Sequence, residues 1–234
     1  MTAGRWTIGF DADDTLWHNE HLFQMTQGRF AALLADHAAP DHLQDRLMVA
    51  EQRNLGRYGF GVKGFVLSMI ETAIEVTDAR VPAGVIAELI AAGQDMLAHP
   101  VDLLPGVAQT VTALAGRARL VLVTKGDLLD QERKLAQSGL GDLFDAVEIV
   151  SDKTPATYAR IFAGQGAQAM MVGNSLRSDV IPALTAGAWG VHVPHELTWS
   201  HEYADAPADH PRFRVLGTLD ELPDLLTGLG AILP

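Results

Sequence analysis

The chain has 234 residues, 48% hydrophobic and 20% charged, with a net charge of −12 and no cysteine. This balance is globular rather than disordered, and the length suits one domain with a sizeable insertion or two small domains. The charge argues against a nucleic-acid polymer as partner, because phosphate backbones are held by clustered Lys and Arg, and the lack of cysteine removes disulfides and thiolate chemistry. A small phosphorylated substrate stays compatible, since a metal and one or two lysines can make a local positive site. With no signal peptide or membrane-length apolar run visible, the expectation is a soluble cytoplasmic protein that uses no membrane.

Taken in order, Trp6 to Phe10 is a short apolar run with β-branched and aromatic residues, predicted to be a buried strand. It ends in Asp11-Ala12-Asp13-Asp14-Thr15-Leu16. Residues two apart on an extended segment point the same way, so Asp11 and Asp13 project together. Two carboxylates about 4 Å apart repel by roughly 4 kcal/mol at an effective dielectric near 20. A shared proton or a bound cation would compensate them, and a hard cation such as Mg²⁺ takes oxygen ligands and leaves room for a substrate phosphate. The alternative is a solvated acidic loop, or an aspartate capping a helix that starts near Thr15.

From about Asn19 to His99 the periodicity is helical. Leu22, Phe23, Phe30, Leu33 and Leu34 share one stripe, and Leu43, Leu47 and Val49 to Ala50 make a second. Phe65 to Ile74 makes a third, and Pro82 to Leu97 a fourth with proline in its first turn. Between the second and third lies the glycine-punctuated stretch Arg57 to Gly64, read as a helix connection; if it has a function, Arg57, Tyr58 and Lys63 are the side chains to suspect.

Beyond Leu103 helices and strands alternate. Helices are predicted at Gly106 to Leu114, Asp127 to Gln137, Pro155 to Phe162, Leu176 to Ala186 and Leu219 to Leu226. Strands are predicted at Leu120 to Val123, Ala146 to Val150, Met170 to Val172 and Trp189 to Val193, with Arg212 to Leu216 as an added edge strand. This alternation implies a Rossmann-like, doubly wound parallel sheet, whose ligands bind outside the carboxyl ends of the strands. Four strand ends are polar: Asp11 to Asp13, Thr124, Ser151 to Lys153, and Gly173 to Ser175. Thr124, with Lys125 and Gly126 opening the next helix, can bind an anion through its hydroxyl and the helix-start amides, or can simply cap a turn.

The hexapeptide Asp11 to Leu16 after a buried strand resembles the first motif of the haloacid-dehalogenase-like hydrolases. The apolar strand ending in Thr124 is similar to that superfamily's second motif, and Lys153 stands where its lysine is expected. This chain has Lys-Thr-Pro where the family pattern is Lys-Pro, so Lys125 and Lys134 stay open as sources of the charge. Gly173-Asn174-Ser175-Leu-Arg-Ser178-Asp179 resembles the fourth motif, with Asn174 where aspartate is commoner.

The resemblance implies an α/β core from residues 1–17 and 100–234 and a helical type-one cap, residues 18–99, that closes over the site and selects substrate. It implies Asp11 as nucleophile and Asp13 as general acid/base, with Thr124 and Lys153 holding the phosphoryl group beside Lys125 and Gly126. Mg²⁺ would be held by Asp11, the Asp13 carbonyl, and Asn174 or Asp179. Dehalogenases proper lack the second aspartate of the first motif, because displacing a halide needs no acid; Asp13 therefore turns the expectation toward a phosphatase of small monoesters. A phosphotransferase or mutase on the same site, and a non-catalytic binding protein of the same fold, are the alternatives. The histidines of the 192–210 loop fit no usual zinc spacing, and their expected place is packed on the core or near the site.

Overall fold

The computed structural model describes residues 5–231. Strand β1 (Thr7–Phe10) is followed by helices α1 (Glu20–Leu33), α2 (Pro40–Tyr58), α3 (Val62–Val76), α4 (Ala83–Ala98) and α5 (Val107–Leu114). The alternating part comprises β2 (Arg119–Lys125), α6 (Leu128–Ser138), β3 (Ala146–Val150), α7 (Pro155–Ile161), β4 (Ala169–Gly173), α8 (Ile181–Thr185), β5 (Trp189–His192), β6 (Phe213–Val215) and α9 (Leu222–Gly228). All six strands are parallel, in the order β3-β2-β1-β4-β5-β6. The fold is therefore α/β, doubly wound, with a helical insertion between β1 and β2. Because β2 and β4 flank β1, the strand order reverses there, and the crevice at such a switch point is where ligands bind.

Strand periodicity builds the two faces of the sheet. Ile8, Phe10, Leu120, Leu122, Met170 and Val172 enter one apolar layer with α5 and α9. The alternate residues Val121, Val123, Ala169 and Met171 enter the other, against Tyr158, Phe162 and Ala183. Among the described residues no helix is long and apolar enough to cross a membrane.

The chain separates into two compact units, one holding residues up to Glu20, Val101–Lys125 and Gln131 onward, the other His21–Pro100 and Gly126–Asp130. The second has its own core of Phe30, Leu34, Leu43, Leu47, Phe65, Met69 and Leu89. In it Gly61, with φ +115°, lets the Asp127 carboxylate approach closely enough to accept from the Lys63 amide at 3.1 Å, and a Cβ on Gly61 would stand 2.7 Å from that carboxylate. Tyr58 is drawn to Glu71, its hydroxyl donating at 3.0 Å.

Several element ends differ from the pattern reading. Pro82 precedes α4 rather than opening it, and β2 runs on to include Thr124 and Lys125. The single helix expected over Leu176 to Ala186 is instead a wide turn, Leu176–Val180, followed by the short α8. Pro182 has no N–H to give, and Val180 bonds back to the Ser175 carbonyl at 3.1 Å, which widens the turn.

Candidate active site

Asp11 extends β1 by one residue, its amide donating to the Val172 carbonyl at 2.9 Å. That bond fixes the carboxylate at the strand end. Lys153 Nζ makes a very short bond to Asp11 Oδ1 and donates to Asp179 Oδ1 at 2.7 Å. The side chains of Lys153 and Asp179 are 2% and 0% exposed, so this is a buried triad. Thr154 sets the lysine in place: it caps α7, accepting from Thr157 N at 3.2 Å, and Lys153 is the residue just before it. Asp179 lies flat on the backbone of β4, where any Cβ at Gly173 would overlap its carboxylate.

Burial and the Asp179 charge push Asp11 up to about 7, against the pull of Lys153. For Lys153 burial disfavours the charge, but the attraction of Asp11 and Asp179 outweighs it and holds the ammonium protonated. A buried triad with two acids and one base carries one excess negative charge once Asp11 ionises.

Asp13 is arranged differently. Its Oδ1 accepts from Trp17 Nε1 at 2.8 Å and Lys134 Nζ at 3.0 Å, and its Oδ2 accepts from Gln131 Nε2 at 2.8 Å. Burial alone would raise it; the Lys134 charge and the hydrogen bonds of Lys134, Trp17 and Gln131 hold it below the usual carboxylate range. Gln131 and Lys134 lie three apart on α6 and so share one face. Among the described residues the buried Gln131 Oε1 has no hydrogen-bond partner. Asp14 caps α1, accepting from the amides of Asn19 at 2.9 Å and Glu20 at 3.0 Å.

Thr15 instead joins the site. Its hydroxyl accepts from Asn174 N at 3.0 Å and faces both Asp11 Oδ2 at 3.0 Å and Asn174 Oδ1 at 3.3 Å. One hydroxyl proton cannot serve both oxygens, so one of two adjacent acceptors is left short of a donor. A small hard cation suits that deficit, and the triad's excess negative charge points the same way. Asp179 has less to offer, since Lys153 holds its Oδ1 and the Ser175 amide its Oδ2 at 3.0 Å. Among the described residues no three His, Asp or Glu side chains converge as a cage, so a cation at this point would have the Asp11 carboxylate and the Asn174 amide oxygen as its side-chain donors. His192 Nε2 lies 2.9 Å from the Asn174 carbonyl and braces that turn.

Thr124 is buried at the end of β2, with one long contact of 3.4 Å to the Lys125 carbonyl. Lys125 is drawn to Ser178 at 2.8 Å and Glu202 at 2.6 Å, and Gly126 follows with φ +137°. Asp11, Lys153, Asn174 and Asp179 are thus brought into one cluster. Asp13 stands beside it with Lys134 and Gln131. Tyr158, Thr15, Gln131 and Glu202 were not singled out by pattern. Tyr158 is fully buried and donates to the Ser178 carbonyl at 2.9 Å beside Asp179; its one signal is a polar tip on an otherwise apolar helix face.

Residues 7–187 match the family model of the haloacid dehalogenase-like hydrolases. A haloacid dehalogenase-like family hydrolase from Xanthomonas campestris is 41% identical, with a TM-score of 0.86 over 97% of this chain and 93% of its own. A putative hydrolase of this type from Bacillus subtilis, bound to magnesium, is 18% identical with a TM-score of 0.62, covering 95% and 99%. L-2-haloacid dehalogenase from Xanthobacter autotrophicus is 20% identical with a TM-score of 0.66, covering 97% and 100%. The last two share the fold alone. No curated protein sequence matches the chain. With most of its length in the family model and a close relative over nearly all of it, this chain belongs to the haloacid dehalogenase-like hydrolases.

Proposed function

We propose that the protein is a phosphatase that hydrolyses a small phosphate monoester through an aspartyl-phosphate on Asp11. The observation that carries this reading is a second carboxylate, Asp13, set apart from the Lys153 triad and 23% exposed, where a leaving alcohol could exchange a proton. Halide displacement has no use for such a group, because the leaving anion needs no proton. Asp11 attacks phosphorus in line, and the P–O bond to the alcohol breaks as the Asp11–phosphorus bond forms. Lys153 faces the developing charge, and Thr124, at the end of the neighbouring strand, donates to a phosphoryl oxygen.

Asp13 rests ionised, the form that deprotonates the water in the second step. The alcohol's proton then comes with the substrate as its monoanion, and passes through Asp13 as the ester bond breaks. Asp11 Oδ2, Asn174 Oδ1 and the Asp13 carbonyl would hold Mg²⁺, with Asp179 acting through Lys153 and the turn. Bound there, Mg²⁺ would neutralise Asp11 and the phosphoryl oxygens and so lower the barrier to attack. The magnesium in the Bacillus relative supports this choice of ion.

Dehalogenation is the second reading, favoured by the firm hold of Lys134 on Asp13. Hydrolysis of an aryl phosphate and of 2-chloropropionate, each with and without Mg²⁺, separates the two. Metal-dependent phosphate release with no chloride release supports the phosphatase; metal-independent chloride release overturns it.

A further inference from the structure

Lys125, Ser175 and Ser178 come from two different strand ends, and they meet on one side chain outside every recognised motif. Glu202 lies in the turn Ser200–Glu202 of the β5–β6 connection, and its side chain is only 12% exposed. One of its oxygens accepts from Lys125 Nζ at 2.6 Å, and the other accepts from both Ser175 Oγ and Ser178 Oγ. The proton inventory closes. Each hydroxyl gives its single proton to Glu202, which leaves lone pairs for the donors on the other side. Ser178 Oγ accepts from Lys125 at 2.8 Å, and Ser175 Oγ accepts from the Ser178 amide at 2.9 Å. Arg177 adds a bond from the same turn to the His201 carbonyl at 2.9 Å.

What these bonds hold is the Asn174–Asp179 turn. The Ser175 amide fixes Asp179 Oδ2, and Asp179 in turn fixes Lys153 against Asp11. Burial works against the Glu202 charge, but Lys125 and the two serines outweigh it and bring it down to about 2, so the group is ionised at every working pH. A buried ion pair of this kind contributes little net stability and is better explained by the geometry it imposes.

We propose that Glu202 is a positioning residue: it clasps the end of β2 to the Asn174–Asp179 turn and thereby sets the aim of Asp179, Lys153 and Asn174. The kinetic consequence rests on the phosphatase reading, whereas the effect on the turn does not.

Glu202→Ala tests both. Hydrogen exchange at the Ser175, Ser178, Asp179 and Val180 amides should accelerate about tenfold or more, with β1 and β4 amides unchanged. Mg²⁺ binding, read by calorimetry without substrate, should weaken about fivefold, and kcat on an aryl phosphate should fall about tenfold to a hundredfold with KM within about threefold. Glu202→Gln keeps one side-chain oxygen for the serines and should fall between Glu202→Ala and the parent in both turn exchange and kcat. Should Glu202→Ala not fold, Ser175→Ala and Ser178→Ala, which leave the ion pair intact, carry the same prediction at about threefold. Unchanged turn exchange in a folded variant overturns the proposal. A parent protein with neither phosphatase turnover nor Mg²⁺ binding overturns the phosphatase reading instead, and the exchange result still decides the clasp.

Discussion

Two lysines meet three aspartates at the carboxyl edge of this sheet, and the two meetings differ in charge and in depth. Lys153 is shared between Asp11 and Asp179 in a pocket closed to solvent, and the pair of acids outnumbers it. Lys134 serves one acid, Asp13, which is partly open and also receives Trp17 and Gln131. The first arrangement leaves Asp11 poised near neutrality and strained by burial. The second leaves Asp13 satisfied and ionised. Identical side chains two residues apart thus acquire different chemistry from their donors, which is how one fold separates a nucleophile from a proton carrier.

The largest expected effect breaks the triad. Asp11→Asn should lower kcat by about 10⁴-fold or more, because no other group here can form the covalent intermediate; turnover near the parent's would sink the mechanism. The same variant has an opposite effect on stability. An Asp11 raised to about 7 in the fold costs stability at every pH above the ordinary carboxylate range, because it is harder to ionise in the fold than in the unfolded chain. That penalty is absent below about pH 4, grows as pH rises toward 7, and stays on the order of 4 kcal/mol above it. Without Mg²⁺, Asp11→Asn should therefore be the more stable protein at pH 8 and gain little at pH 4, as read by denaturant unfolding at both values.

Asp13→Asn tests the other half. It should cost about 10²- to 10⁴-fold in kcat on an alkyl phosphate. An aryl phosphate, whose leaving group needs less help, should lose less. The contrast between the two substrates is the measurement, and equal losses would remove Asp13 from proton transfer.

Milder still is the pH dependence. If Asp13 rests ionised and the substrate monoanion brings the proton, kcat/KM should fall about tenfold per unit above the phosphate's second pKa near 6. Lys134→Met lets the Asp13 carboxyl climb toward its ordinary range or above it, and should extend activity to higher pH. A profile flat to pH 8 in the parent would show that Asp13 reprotonates unaided.

Smallest is Tyr158→Phe, which removes one donor beside Asp179. It should cost roughly 1 kcal/mol of stability and a few-fold in kcat. A loss beyond about a hundredfold would move Tyr158 from support into the chemistry.

The architecture was legible because short apolar runs alternated with helical ones, which implies a parallel, doubly wound sheet, whereas the strand order comes from the structure alone. Asp11, Lys153 and Asn174 were legible through their places at strand ends, and Asp179 only through the resemblance of the fourth motif. The Lys-Thr-Pro departure is resolved locally: Thr154 caps the helix and proline takes its first turn, so the extra residue costs Lys153 nothing. The aspartate cap expected near Thr15 is Asp14, with φ +59°, but the helix it caps starts at Glu20. The tie of Lys125 to Glu202 could not be read from pattern. Glu202 is 77 positions away and in a connection without periodicity. Gln131 and Lys134 sat on a helix face that looks solvated in sequence, and only the fold shows that Asp13 lies beneath them.

The two margins of the sheet carry a further consequence. Strand β6 is three residues long, and the Arg214 guanidinium stands 4.9 Å over the Trp189 ring beside it. Strand β3 places Glu148 at the opposite margin, paired with Arg160 at 2.9 Å. An unfinished parallel sheet would otherwise offer its bare amides and carbonyls to a passing chain. Here one border is too brief to template another strand and the other carries charge, so the protein carries its own defence against fibrillar self-association.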